Sequence, residues 1–215
     1  MKLNKMYILL ASLLISLSAF SQSSQEAKAI LDKTYQIYES SKGIKIDFSL
    51  EAIENGRVQA EQKGVAMVKG NKFKIESDEV EIWFDGKTQW ILMKQFEEVN
   101  VSEPTLEELA SISPTALLSM YKSGYTLAIP TDKTINGKKV KEIKMTPNSN
   151  KSEFKDLSVA IDTSKNVLVQ INLTMKNGMK NKIDFITYNT NYNYSDTEFA
   201  FDKAKHKDVE VIDLR

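Results

Sequence analysis

The first pattern of apolar and polar positions along the chain is that of an amphipathic helix. Ser23 and Glu26 have the spacing of a capping box, in which two side chains satisfy free backbone N–H groups at a helix start. The apolar positions that follow recur at three and four residues, and Gly43 is predicted to end the helix. We expect this stripe to lie on a sheet; it contains Ala27, Ile30, Leu31, Thr34, Ile37 and Tyr38.

At Ile44 the spacing of apolar positions changes to two, which predicts a strand with one buried face over residues 44–51. Asparagine–glycine pairs and similar turn signals then separate short apolar segments, a pattern typical of antiparallel hairpins. The further predicted strands cover residues 65–68, 73–75, 80–84, 89–93, 140–145, 157–161, 167–173 and 182–188. The predicted fold class is therefore α+β, mainly β: an incomplete antiparallel β-barrel or curved sheet, covered by the N-terminal helix and a short helical insertion.

That insertion lies in residues 104–124, where a helical pattern interrupts the strands. Thr105 and Glu108 have the spacing of a second capping box, and Pro114 suits the first turn of a second short helix. The apolar positions of the insertion are Leu106, Leu109, Ile112, Leu117, Leu118 and Tyr121. We find no internal repeat, low-complexity tract or linker, so residues 22–215 are predicted to form a single domain.

The first 21 residues have the three parts of a secretory signal peptide. Lys2 and Lys5 precede an apolar run over residues 7–20, and small residues suit cleavage before Gln22. The run is shorter than the roughly 20 residues of a membrane-spanning helix, although an uncleaved N-terminal anchor is the alternative. No cysteine follows it, so we expect no lipid anchor. The prediction is a signal peptide over residues 1–21 and a periplasmic mature protein.

Charge and composition exclude several classes of function. The 29 basic and 29 acidic side chains cancel, whereas a nucleic-acid-binding protein would carry a basic excess. The chain has no cysteine and one histidine, His206, which excludes disulfides, thiolate nucleophiles and multi-histidine metal sites. Acidic clusters around Glu81 and Glu107 are the remaining source of catalytic groups. Known phosphate-binding, nucleophile and zinc-protease motifs are absent, so we predict no enzyme activity, metal or cofactor.

One predicted hairpin is apolar on both of its faces. Its large side chains are Trp83, Phe84, Trp90, Ile91, Leu92, Met93 and Phe96. Two interpretations are open, because an ordinary packed core and an apolar cavity under a helical cover use the same residue types. The lysines at 138–144 and 176–182 likewise form either a solvated strand face or a docking patch for anionic lipid headgroups or a partner.

The same hairpin contains the motif Asp85-Gly86-Lys87-Thr88-x-Trp90, followed by the acidic segment 97–99 and the capped helical insertion with Ser113-Pro114. In this motif and in its order of elements, the mature chain resembles the periplasmic outer-membrane lipoprotein carriers of the LolA type. The resemblance implies an incomplete β-barrel covered by helices around an apolar concavity. It implies that lipoprotein acyl chains are received from an inner-membrane ABC-type transporter and ferried to an outer-membrane receptor or insertion site. We expect a monomer.

The resemblance also implies lipid-binding residues by position. These are Phe73 and Ile75 on the strand after the second hairpin turn, Trp90 of the motif, and Leu109, Ile112, Leu117, Leu118 and Tyr121 in the covering helices. Phe48 and Leu50 of the first strand and Trp83 and Leu92 of the apolar hairpin complete the candidate lipid-binding set.

One departure from the family concerns the closure of the cover. Family members carry an arginine–proline pair at the second hairpin turn, where the arginine holds the cover shut, but here that turn reads Lys69-Gly70-Asn71-Lys72. The latch is either absent or replaced by Lys69 or Lys72, which lack the planar fork of arginine. The alternatives to a carrier are a lipid-binding envelope sensor or accessory protein on the same fold, an enzyme using a carboxylate pair, and a purely structural envelope protein.

Overall fold

The computed structural model describes residues 24–215, so the predicted signal peptide and the capping residue Ser23 lie outside the described residues. The first helix, α1, covers residues 24–39. The strands are β1 (Ile44–Glu54), β2 (Arg57–Lys69), β3 (Lys72–Ser77), β4 (Val80–Phe84), β5 (Gln89–Met93), β6 (Glu98–Ser102), β7 (Tyr125–Leu127), β8 (Thr131–Ile135), β9 (Lys138–Pro147), β10 (Phe154–Asp162), β11 (Val167–Met175), β12 (Lys180–Asn189) and β13 (Glu210–Asp213). Two short helices, α2 (Leu106–Ala110) and α3 (Pro114–Ser119), and two 3-10 turns, Met120–Lys122 and Asp196–Phe199, complete the described chain.

All thirteen strands belong to one open, curved sheet. Their order is β13-β6-β5-β4-β3-β2-β1-β12-β11-β10-β9-β7, with β8 pairing β9. Neighbours are antiparallel except β13 and β6, which are parallel. Asn55 and Gly56 both have positive φ, as do Asn136 and Gly137, which is the geometry of the tight hairpin turns that asparagine–glycine pairs predict. The sheet and its helices confirm the predicted fold class.

The sequence pattern missed the strands that lack a buried face. β8 is exposed along almost its whole length, and the first half of β2 is exposed as well. β6 and the parallel edge strand β13 were also not predicted. β8 and the first half of β2 join the sheet through backbone hydrogen bonds to a neighbour, and these leave no alternation of apolar residues in the sequence. β6 does alternate, with Val99 and Val101 buried, but over only five residues.

The two faces of the sheet have separate apolar clusters. The inner face packs against α1, α2 and α3 to form the main core, which includes Leu31, Tyr38 and Phe73. On the outer face, Trp83, Leu92 and Val99 form a smaller cluster, and Trp90 packs against it. Residues 190–215, here called the C-terminal segment, cover this cluster with Phe201 and Val209. Among the described residues, no helix has the length and apolar character needed to cross a membrane.

The turn between β2 and β3 holds the C-terminal segment. The Lys69 ammonium donates to the Asp196 carboxylate at 2.7 Å and to the Tyr194 carbonyl at 2.8 Å. Lys72 reaches the second Asp196 oxygen at 2.8 Å. Both lysines that could have replaced the family's latch therefore contact the segment after β12 and not the cover helices.

We predict that Asp196→Asn removes a stabilisation that depends on pH. Hydrogen bonds from Lys69 and then Lys72 lower the pKa of Asp196 from 3.8 to about 2. Because the folded pKa is the lower one, the contribution is complete above about pH 4 and is lost as the pH falls towards about 2. Urea unfolding of both proteins should show a stability difference that shrinks to zero at the acidic end. Asp208→Asn, at an exposed aspartate, is the control, and a pH-independent difference for Asp196→Asn would contradict the assignment.

A second prediction concerns Gly64 of β2, which lies opposite Phe48 of β1. A Cβ at Gly64 would lie 2.6 Å from the Glu76 carbonyl oxygen and 2.8 Å from the Phe48 ring. Gly64→Ala must therefore push the ring and the neighbouring strand apart, and we expect the free energy of unfolding to fall by about 1–3 kcal/mol. Ala60→Ser, on the exposed half of β2, should change it by less than about 0.5 kcal/mol. Equal stability of the two variants would show that Phe48 can move freely.

Candidate functional site

A cavity of about 170 Å³ lies between the inner face of the sheet and the loop that joins α2 to α3. We call it the sheet cavity. Its strand wall is made by Phe48, Leu50, Ala66, Ile75, Val80, Ile82, Ile171, Ile183 and Phe185, with Gln62 and Ser77 as polar members. Its helical wall is made by residues 110–114. The lining is almost entirely apolar, so the cavity is suited to a hydrocarbon ligand.

Strand register places the apolar wall in one row. Ala66 of β2 pairs with Ile75 of β3, which pairs with Ile82 of β4. Because neighbours across a sheet share a face, all three point inward together. Ala66 is small and leaves room beside the larger side chains, whereas the space beside Gly64 is filled by the Phe48 ring. The cavity therefore lies next to the small Ala66 in the middle strand of the wall.

The helical cover, residues 105–119, is built from two capped helices. Thr105 and Glu108 form the predicted capping box, with the Glu108 carboxylate accepting from the Thr105 N–H at 2.7 Å. The Ser113 hydroxyl caps α3 by accepting from the Ala116 N–H, and Pro114 stands in its first turn. The Glu107 carboxylate accepts from the Glu153 N–H at 2.8 Å and from the Ser152 hydroxyl. These contacts fix the cover at its start and to the loop before β10.

A second attachment lies just beyond the cover. The Tyr121 hydroxyl donates to the Asp32 carboxylate on α1, which also binds Lys28 at 2.7 Å. Burial opposes ionisation of Asp32, but the hydrogen bonds from Lys28 and Tyr121 outweigh it and lower the pKa of this carboxyl. Burial, together with the bond to Asp32, raises the pKa of Tyr121. The Lys122 ammonium lies 3.4 Å from the centre of the Tyr35 ring, a cation–π contact to α1.

A second cavity of about 190 Å³ lies between α1, the helices α2 and α3, and the turns before β3 and after β4. We call it the helix cavity. Its apolar lining residues are Phe73, Phe84, Leu106, Leu109 and Ala116, and its other lining residues are Tyr35, Asn71, Gly86, Ser113, Thr115 and Ser119. Ser113 lines both cavities, so the two approach each other at the start of α3.

The structure distributes the twelve predicted site residues over four places. Phe48, Leu50, Ile75 and Ile112 line the sheet cavity, and Phe73 and Leu109 line the helix cavity. The side chains of Leu117, Leu118 and Tyr121 are buried in the main core. Trp83, Trp90 and Leu92 lie on the outer face of the sheet, in the cluster covered by the C-terminal segment.

Several lining residues were missed from the sequence. Ile82 and Trp83 are neighbours in β4, so their side chains lie on opposite faces of the sheet. The sequence prediction placed Trp83 in the lipid-binding set and left out Ile82. Ile183 and Phe185 share the inner face of β12 and were predicted as strand residues but given no role. The pairing of β12 with β1 would have identified them, because Phe48 pairs with Phe185 and Leu50 pairs with Ile183. This pairing is not visible in the sequence.

Both candidate catalytic carboxylates and some of the candidate docking lysines already have ion-pair or hydrogen-bond partners. Glu81 contacts Lys94 at 3.2 Å, while Glu107 is bound by the loop before β10. On the lysine-rich strands, Lys182 contacts both Glu51 and Asp184 at 3.1 Å. In the part of the chain that the structure describes, no three acidic or histidine side chains are grouped so as to hold a metal ion.

Several solved structures resemble this chain at low sequence identity. An uncharacterised conserved protein from Thermus thermophilus superposes with a TM-score of 0.60 at 10% identity, over 87% of this chain and 99% of its own. A putative outer membrane lipoprotein-sorting protein domain from Vibrio parahaemolyticus gives 0.49 at 10% identity, over 86% and 99%. A LolA superfamily protein from Nitrosomonas europaea gives 0.47 at 11% identity, over 81% and 97%.

No curated protein matches the chain. The family model described as outer membrane lipoprotein carrier protein LolA matches residues 17–179. This match spans most of the chain. It includes the helices and strands that line both cavities, except for β12. The chain therefore belongs to the LolA family of outer membrane lipoprotein carrier proteins.

Proposed function

We propose that the protein is a periplasmic carrier that binds the acyl chains of lipoproteins in the sheet cavity and ferries them from the inner to the outer membrane. Its partners would be an inner-membrane ABC-type lipoprotein-releasing transporter and an outer-membrane receptor or insertion site. The observation that carries the proposal is an apolar cavity beneath a short helical cover. Membership of the family supports the same conclusion.

The energetics of the cargo explain why such a cavity is useful. Each methylene that leaves water gains about 0.8 kcal/mol, so a long acyl chain faces a barrier on the order of 10 kcal/mol to crossing an aqueous compartment. An apolar cavity lowers that barrier by replacing water with hydrocarbon contacts. The cargo must also be released, so the free energy of binding has to stay well below the full transfer value.

The size of the sheet cavity implies that the cover moves. At about 170 Å³, it is close to the roughly 150 Å³ cavity that accepts a benzene ring and smaller than the roughly 300–1,000 Å³ of ordinary ligand pockets. A whole acyl chain therefore needs more room than the closed form has. The cover is the element able to supply it, because its helices have only five and six residues and depend on packing for their stability.

We predict that Ile112→Glu weakens acyl binding by at least about tenfold, because it places a charge in the apolar wall. Ile112 is only partly buried, so the fold should survive the change. The matched control is Ile129→Glu, at an isoleucine that is 54% exposed and lies outside the cavity. Titration with a synthetic diacylated lipopeptide, followed by native mass spectrometry, gives both affinities. Equal binding by the two variants would show that the sheet cavity does not hold the chains.

Delivery separates a carrier from a lipid-binding sensor on the same fold. A carrier loaded with the labelled lipopeptide should lose it to outer-membrane vesicles faster than to inner-membrane vesicles that lack the transporter. Retention of the lipopeptide in the presence of both vesicles, with binding intact, would favour the sensor.

A further prediction concerns the opening of the cover. Tyr121→Phe removes the hydroxyl that donates to Asp32, so we expect the free energy of unfolding to fall by about 1–2 kcal/mol and the uptake of a fluorescent fatty acid to become faster. Tyr35→Phe is the matched control, because its hydroxyl binds Glu39 within α1 at 2.7 Å and links nothing to the cover. Stopped-flow fluorescence measures uptake. Wild-type uptake by Tyr121→Phe would mean that this attachment does not limit opening.

A further inference from the structure

The polar members of the sheet cavity carry an inference about the charge of its ligand. Among the described residues, four lining side chains can form hydrogen bonds: Gln62, Ser77, Ser111 and Ser113. Each serine is bonded within its own turn. The Ser77 hydroxyl bonds both backbone groups of Val80 at 3.1 Å, the Ser111 hydroxyl donates to a carbonyl of α2, and the Ser113 hydroxyl caps α3. Gln62 is the remaining polar side chain.

The Gln62 amide has a fixed orientation. Its Nε2 donates to the Glu79 carboxylate at 2.6 Å. An ionised carboxylate only accepts hydrogen bonds, so the amide nitrogen must face Glu79 and the amide Oε1 is directed elsewhere. Within the described part of the chain, no group donates to this Oε1, and Gln62 is only partly buried. The lining therefore presents one unused acceptor oxygen to a ligand.

The charge around this acceptor is negative. None of the described side chains that line the cavity is a lysine, arginine or histidine, whereas the Glu79 carboxylate is bonded to the Gln62 amide itself. The nearby Lys94 ammonium is held by a carbonyl of β3 at 2.7 Å and by Glu81 at 3.2 Å. Lys63 follows Gln62 in β2, so its side chain lies on the opposite face of the sheet. A ligand group beside Gln62 therefore meets an acceptor and a negative charge.

This environment distinguishes between head groups. A carboxylate or phosphate would face Glu79 with no counter-charge in the lining, and an unpaired charge is costly to remove from water. An ammonium group has three donors and no acceptor, so it can donate to Gln62 Oε1 while the Glu79 carboxylate attracts it. The apolar side chains around Gln62 are suited to the attached hydrocarbon.

We propose that the sheet cavity selects acylated ligands that carry an ammonium group next to the hydrocarbon, with this group donating to Gln62 Oε1 and Glu79 supplying the negative charge. This inference rests on the proposed function, and it adds the charge class of the cargo. A lipopeptide whose amino group is free binds more tightly than one whose amino group is acylated.

The test compares two synthetic diacylated lipopeptides with the same uncharged peptide, one with a free amino group and one with that group acetylated. At about pH 6.5 most of the free amine is protonated. The wild-type mature protein should bind the free amine about fivefold more tightly at low salt. The preference should shrink as salt screens the exposed Glu79. A preference for the acetylated lipopeptide would overturn the proposal.

Two neighbouring acids in the β3–β4 turn provide matched variants. Glu79→Gln removes the charge that contacts Gln62 and should reduce the preference to below about twofold. Asp78→Asn removes the same charge from the exposed residue beside it and should leave the preference unchanged. An equal loss in both variants would mean that general surface charge attracts the amine, and it would overturn the assignment to Gln62 and Glu79.

Gln62→Leu tests the acceptor, because leucine keeps the wall apolar and removes the amide oxygen. The variant should lose the preference by weakening the free-amine lipopeptide alone, and urea unfolding checks that the fold is intact. Equal weakening of both lipopeptides would mean that Gln62 acts through packing and would overturn its role. If the wild type binds neither lipopeptide, the proposed function itself fails. If it binds both equally, only the present inference fails.

Discussion

The structure depends on how the inner face of an open sheet is kept from water. The sheet is too wide for α1 to cover alone, so the strands around β3 must be covered by another element. That element is a pair of helices of five and six residues, which would not be stable as isolated peptides. Capping by Thr105, Glu108 and Ser113 satisfies their free backbone groups, and the remaining stability comes from apolar packing on the sheet. The cover therefore packs on the same apolar face of the sheet that lines the sheet cavity.

The cover is held on the sheet by two kinds of contact. One is the packing of buried leucines such as Leu117 and Leu118, and the other is a few polar attachments through Glu107 and Tyr121. The lysines of the β2–β3 turn take no part, because Asp196 binds both of them.

The apolar hairpin β4–β5 shows why an excess of apolar residues is ambiguous in a sequence. Its inward side, with Ile82, belongs to the cavity wall. Its outward side, with Trp83 and Trp90, is covered by Phe201 and Val209 more than a hundred residues later in the chain. The outward-facing apolar residues of the hairpin therefore belong to a second, small core on the outer face of the sheet. Nothing local to the hairpin indicates this, because the covering segment is distant and has little regular structure.

The sequence by itself determined the family and most of the elements. Hydrophobic periodicity, capping boxes and asparagine–glycine turns are local signals, and the cover, the main hairpins and the fold class follow from them. The tertiary structure decided which apolar residues line a cavity and which fill a core. That depends on strand register: Phe48 pairs with Gly64 and Phe185, and small residues leave space only where larger neighbours surround them. Partners that are distant in sequence also decided the roles of Lys69 and Lys72, since long-range ion pairs leave no periodic trace in the chain.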